Sequence, residues 1–150
     1  MADIVSRATR ARMMAGIRGK NTIPEMTLRH GLHSLGLRYR LHAKGIPGRP
    51  DLVFPKYRAV VFVNGCFWHA HECDLFRWPS SRPTFWKRKL LGNRQRDSRV
   101  RSELADLGWR YLVVWECSLK HKTPTEVDRL VRRVGHWIRA GSPPSELPAS

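Results

Sequence analysis

The stretch NGCFWHAHEC, residues 64–73, sets Cys66, His71 and Cys73 at spacings of five and two, and a third cysteine, Cys117, lies far along the chain. Three sulfurs and an imidazole match a tetrahedral structural zinc site of the Cys₃His type, and thiolate ligands favour zinc over magnesium or calcium. Such a site ties a tight turn to a distant segment, so the intervening chain must leave and return to one place. Spacing alone leaves the fourth ligand open. Alternation along an extended turn points His69, His71 and Cys73 the same way, while His121 stands four residues past Cys117, within reach on a helical turn. The competing reading is that the cysteines are ordinary buried residues.

The chain has 150 residues, a length that suits one hydrophobic core. Its 28 Lys and Arg outnumber its 12 Asp and Glu, a formal charge of +16. An excess this large repels itself in a compact state, so a polyanion such as nucleic acid is the partner class it implies. The longest strongly apolar run, residues 59–63, is far too short to span a bilayer. The first residues, MADIVSRATR, carry no secretory signal, and three cysteines do not make a disulfide framework. These features predict a reduced, cytoplasmic protein.

Residues 1–20 read as a basic arm or short helix, with Met13, Met14 and Ile17 as its apolar cluster. A helix opens at Pro24-Glu25, capped by Thr22 or Asn21, with Met26, Leu28, Leu32 and Leu35 apolar and Gly36 ending it. A short strand is expected at 38–41, then a Gly/Pro loop at 45–50. The apolar runs 52–54 and 59–63 predict an antiparallel hairpin. A long helix is expected over 84–107, a strand at 110–115 and a last helix over 124–139. The reading is a mixed α/β domain over 21–140, a central sheet flanked by helices, with a disordered tail at 141–150.

Asp51 follows a rigid proline at the head of the first hairpin strand, and the second strand runs into the histidine-bearing turn. The hairpin would bring Asp51 near residues 63–69, where a carboxylate, a backbone carbonyl and an imidazole can hold Mg²⁺ and activate water against a phosphodiester. Four blocks, GRPDLVF, VVFVNGCFWHAHEC, RPTFWKRKLLGNRQRD and LGWRYLVVWEC, closely resemble the very-short-patch repair (Vsr) DNA mismatch endonucleases, over roughly residues 6 to 138 and in family order.

The resemblance implies a variant of the PD-(D/E)xK restriction-endonuclease fold with a structural zinc site. It implies a Mg²⁺-dependent enzyme that nicks one strand 5′ of the mismatched T at T:G mismatches arising from 5-methylcytosine deamination. On it, Asp51 is the Mg²⁺-binding carboxylate together with the Val63 carbonyl, His69 acts on the attacking water, and Glu25 is the second acidic residue near the metal. Cys66, His71, Cys73 and Cys117 are the zinc ligands. Where well-known members carry Thr-His before the Gly-Cys, this chain has Val63-Asn64, and Asn64 cannot titrate but can hydrogen-bond a phosphate or water. Phe62-Val63-Asn64 stands where ordinary PD-(D/E)xK nucleases carry E-x-K.

Adjacent side chains in an extended turn point opposite ways, so Phe67 and Trp68 are not expected to share one core face. A wedge between base pairs is the functional alternative, since a mismatched step unstacks at lower cost. The resemblance assigns Phe67, Trp68 and Trp86 to intercalation, and Met14 and Ile17 to a second wedge from the other groove. Lys89 and Asn93, one helical turn apart, are candidate base-edge readers. Residues 82–101 hold eight Lys or Arg and one Asp, suited to phosphate contacts. The implied partners are T:G-mismatched duplex DNA and mismatch-repair proteins, and the implied state is a monomer on the nucleoid. Two other readings fit parts of this pattern: a zinc-stabilised protein that binds distorted DNA without cutting, and a PD-(D/E)xK nuclease of different specificity.

Overall fold

The computed structural model describes residues 22–148; the arm carrying Met14 and Ile17 lies outside the described residues. Helix α1 spans Ile23–Ser34, β1 Arg40–Leu41, β2 Leu52–Phe54, β3 Ala59–Asn64, α2 Pro83–Asp106, β4 Arg110–Trp115, α3 Pro124–Ala140 and β5 Ser145–Leu147. The strands lie in the order β1-β2-β3-β4-β5. The first three are antiparallel neighbours, whereas β3–β4 and β4–β5 are parallel.

The central strands are apolar throughout because both faces of the sheet are covered. Leu52, Phe54, Val61, Leu112 and Val114 point to one face and join Leu28, Leu32, Val134 and Ile138 from α1 and α3. Val53 and Val60 point to the other and meet Leu104 of α2. On α1 the buried stripe is Leu28 and Leu32, with Leu35 packed against it. Met26, expected on that stripe, is exposed, because two residues turn a helix through about 200°. The long helix matches its expected span to within a residue at each end, yet buries only Leu90 and Leu104 fully; its last expected apolar contact, Leu107, is exposed. Helix α3 opens on a capping box in which Thr123 and Glu126 exchange backbone hydrogen bonds, and it ends at Gly141 in the left-handed region.

The tail departs from expectation. Leu112, Val113 and Val114 pair with Ser145, Glu146 and Leu147, so the expectation of disorder from residue 141 onward is corrected through residue 148. Leu147 is buried in the main core, and Arg110 and the Trp137 indole donate to the carbonyls of Ser142 and Pro143. A short Pro- and Ser-rich segment is thus ordered by its partners rather than by its own propensity. Among the described residues no helix is long and apolar enough to cross a membrane.

Two glycines test the packing. A Cβ at Gly31 of α1 would lie 2.7 Å from Val131 of α3, whereas a Cβ at Gly92 of α2 would meet nothing within 4 Å. Gly31→Ala is therefore expected to destabilise by about 2 kcal/mol through overpacking. Gly92→Ala is expected to stabilise by about 0.5–1 kcal/mol through helix propensity. Urea titrations of the two variants check both signs.

Candidate active site and metal centre

Parallel pairing sets Asn64 beside Trp115, so β3 and β4 end side by side. Two turns leave from those ends, one carrying Cys66 and the other Cys117, and Glu116 fastens them by accepting the Cys66 N–H at 3.3 Å. The first turn is tight rather than extended. The Ala70 N–H donates to the Phe67 carbonyl and the His71 N–H to that of Cys66, and Ala70 adopts φ 48°. This left-handed residue breaks the alternation expected for the segment.

The consequence is a division of the histidines. His71 joins Cys66, Cys73 and Cys117, all four donor atoms lying within 4.8 Å of one another. His69, expected on alternation to point the same way, instead sits with Nδ1 2.5 Å from Asp97 Oδ2. His121 is exposed and outside the cluster. The His71 ring stacks on Trp115 at 4.0 Å and 7°, and its Nδ1 lies 3.7 Å from Cys117 Sγ. Burial holds the His71 imidazolium below its ordinary pKa, hence neutral and fit to ligate. Burial also pushes the Cys66 and Cys117 thiols up; the neighbouring sulfurs add to the rise at Cys66, while at Cys117 the hydrogen bond with Cys66 opposes it and Cys73 adds to it. Thiolates in such a place need a cation, and the N/S donor set fits zinc in kind and number.

A second cluster lies across the end of β3. Asp51 opens β2, and its Oδ2 accepts the Val63 N–H at 2.7 Å, the convergence that the hairpin predicts. Glu25, in the first turn of α1, is 1 % exposed and pairs with Arg29 at 2.9 Å. Both of its oxygens lie 3.0 Å from His42 Nε2, and the donor atoms of Glu25, His42 and Asp51 are mutually within 4.8 Å. Burial is the main reason the Asp51 carboxyl is pushed up to about 7; the Val63 N–H opposes this, and the adjacent Glu25 adds to it. Two carboxyls in one partly dry place are the donor chemistry of a divalent cation.

Asp51, Val63, Asn64, His69, Asn93 and Asp97 all line one groove of about 1040 Å³. Phe67, Trp68 and Trp86 gather at this turn, with ring centroids 5.0 to 6.0 Å apart. Phe67 and Trp68 therefore share one aromatic cluster, correcting the expectation that they face opposite ways; the turn geometry around Ala70 is the reason. Trp68 is only 6 % exposed, packed with Ala70 and Leu90, while Phe67 and Trp86 stay half-buried. Asn93 Nδ2 donates to the Trp68 carbonyl at 2.8 Å, so half of its amide braces the turn. Lys89, half-buried one helical turn earlier, is not among the residues that line the groove.

Sequence reasoning missed His42 and Asp97. The signal for Asp97 was its solitude, one acid within a basic run. For His42 it was register: Leu41 pairs with Leu52, so the next residue falls beside Asp51, and the His42 N–H donates to the Asp51 carbonyl at 3.1 Å.

Residues 2–75 match the family model of the DNA mismatch endonuclease Vsr. The chain is 43 % identical to the DNA mismatch endonuclease Vsr of Escherichia coli (strain K12), over 92 % of this chain and 88 % of that protein. It is 50 % identical to the type II nicking enzyme V.XorIIP of Xanthomonas oryzae pv. oryzae, over 79 % of this chain and 88 % of the relative. To the type II nicking enzyme V.NmeAIP of Neisseria meningitidis it is 40 % identical, over 89 % and 97 % respectively.

Proposed function

The chain belongs to the Vsr family of DNA mismatch endonucleases, and from that premise we propose that it is a Mg²⁺-dependent nickase that cuts one strand of duplex DNA 5′ of the T in a T:G mismatch. The observation that carries the reading is the shared groove, where Asp51, Asn64 and the His69–Asp97 pair line one wall system beside an aromatic turn. The names of the relatives as nicking enzymes favour a single-strand cut. The architecture is read as a PD-(D/E)xK variant in which Asp51 heads the hairpin and Phe62-Val63-Asn64 replaces E-x-K.

In this reading Asp51 and the Val63 carbonyl hold the Mg²⁺, with Glu25 behind them. When bound, the cation neutralises charge developing on the attacked phosphate and polarises it toward substitution. Asp97 accepts from His69 Nδ1–H, which fixes the tautomer and leaves Nε2 to take a proton from the attacking water. Asp97 also stabilises the imidazolium that forms. Asn64 cannot relay a proton, so its part is to hydrogen-bond a phosphate oxygen or water. Cys66, His71, Cys73 and Cys117 hold a structural zinc that fixes the turn carrying His69.

Phe67, Trp68 and Trp86 form the wedge, reinforced from the other groove by Met14 and Ile17. Because Trp68 is buried in the free protein, Phe67 and Trp86 lead the insertion and Trp68 backs them. Lys89, and the part of the Asn93 amide that does not brace the turn, read base edges beside the mismatch. The other basic residues of α2 hold phosphates.

Matched and T:G duplexes in several sequence contexts, each with Mg²⁺ or with chelator, test the reading. One nick in the T strand of the mismatched duplex, with Mg²⁺ only, is expected. Tight mismatch binding without a nick in any context would leave a binding protein instead. Equal cutting of matched duplex would make it a nuclease of another specificity.

A further inference from the structure

We infer that Glu25, His42 and Asp51 together form a mixed nitrogen and oxygen cation pocket in which His42 is a direct ligand, so that the site takes Mn²⁺-class cations in preference to Mg²⁺. The inference rests on the reading that Asp51 holds the catalytic cation, and it adds a ligand that selects among cations.

Three observations carry it. First, the backbone delivers His42 to the site. Its N–H is bonded to the Asp51 carbonyl at 3.1 Å, and it adopts φ 47°, a left-handed conformation uncommon for a side-chain-bearing residue. Residues held in such conformations collect at sites where a side chain must be aimed. Second, the donors are spaced for one ion. The imidazole Nε2 lies 3.0 Å from each oxygen of Glu25, and all three residues place a donor atom within 4.8 Å of the others. Adjacent ligands of an octahedral cation with bonds of about 2.1 Å stand about 3.0 Å apart. Third, acid is in excess here. Glu25 pairs with Arg29 at 2.9 Å, and Asp51 adds a second carboxyl to the same cluster, more negative charge than one guanidinium offsets.

The donor set then decides the metal. Mg²⁺ prefers oxygen and surrenders water reluctantly, whereas an imidazole alongside two carboxylates suits Mn²⁺ and the first-row ions after it. His42 therefore adds affinity for Mn²⁺ and little for Mg²⁺.

The test uses the full chain, first loaded with one equivalent of Zn²⁺ and freed of excess, so that the cysteine cluster alone is filled. Mn²⁺ and Mg²⁺ affinities are measured by calorimetry for the unsubstituted protein, His42→Gln and Asp51→Asn. Electron spin echo spectra of the Mn²⁺ complexes are recorded in parallel. The expected results are ¹⁴N modulation from a coordinated imidazole in the unsubstituted protein and its loss in His42→Gln. That variant should bind Mn²⁺ about tenfold or more weakly, with Mg²⁺ affinity held within about twofold. Absence of the ¹⁴N signal from the unsubstituted protein, or its persistence in His42→Gln, overturns the inference, and the first outcome does so even if the variant folds poorly. Equal losses for both cations overturn it as well. Nicking of a T:G duplex, run on the same samples, separates the two readings. Nicking without a ¹⁴N signal removes this inference alone. A His42-dependent Mn²⁺ site with no nicking under either cation removes the nickase and leaves the cation site.

Discussion

Asp51→Asn is expected to abolish nicking and at the same time to make the cation-free protein more stable at pH 8. Burial pushes the Asp51 carboxyl from 3.8 to about 7, with Glu25 adding to the rise and the Val63 N–H opposing it. A group raised in this way binds its proton more readily folded than unfolded. Its contribution to stability is complete below pH 3.8, declines as the pH climbs, and is gone once the pH passes about 7. Above that, the native state carries a buried charge that costs up to about 4 kcal/mol. Asparagine keeps an oxygen for the Val63 N–H, 2.7 Å from the carboxylate in the parent, and carries no charge. The variant's advantage in melting temperature should therefore widen from pH 5 to pH 8 and then level off. Millimolar Mg²⁺ should narrow the gap by stabilising the parent alone. Nicking should fall by about 10³-fold or more, the scale for losing a principal charge-stabilising group. A variant no more stable than its parent at pH 8, with or without chelator, would mean that Asp51 is not held at a cost and that its burial has another purpose.

That trade was half visible in the sequence. Pro50-Asp51 before an apolar run announces a carboxylate fixed at the head of a strand, and the hairpin spacing brings it to Val63. The strands 52–54, 59–63 and 110–115 were legible because a sheet covered on both faces demands unbroken apolar runs. Helix α3 was legible to within a residue of its end, and the structure shows Thr123, Pro124, Glu126 and Gly141 marking its ends chemically. What escaped has a common cause, dependence on partners distant in sequence. Ser145–Leu147 is a strand only because β4 offers it an edge. His42 matters through the register of a strand just two residues long. Asp97 matters because α2 lays it against His69. The burial of Trp68 follows from one left-handed residue, Ala70, whose conformation no composition signals. The cysteine cluster was clear in type; spacing left its histidine open and the resemblance named His71, which that same turn brings to the three cysteines.

Removal of a single sulfur from that cluster should have effects well beyond the local contact. Cys66 is fully buried and stands where β3 gives way to the turn, while Cys117 follows β4. Without a cation, both thiols sit above their ordinary pKa, chiefly because burial disfavours thiolates. Bound zinc would reverse that balance, and its binding energy would then be folding energy for the two turns it joins. Cys66→Ser is expected to cut zinc from about one equivalent to a trace and to destabilise by at least about 3 kcal/mol. The same turn holds His69 to Asp97 and Phe67 beside Trp86, so nicking should collapse although neither His69 nor Asp51 has changed. Packing alone predicts something different. A cysteine that only fills space would lose stability on substitution, yet stripping metal from the parent with a strong chelator would leave its melting temperature where it was. Metal analysis of the purified parent and its melting with and without chelator therefore separate the two accounts. A zinc-free parent with an unmoved melting temperature would reduce the cluster to buried thiols. A chelator effect equal in size to that of Cys66→Ser would make the metal the fastening between β3 and β4, and so the reason a small, highly charged chain can hold His69 on a turn.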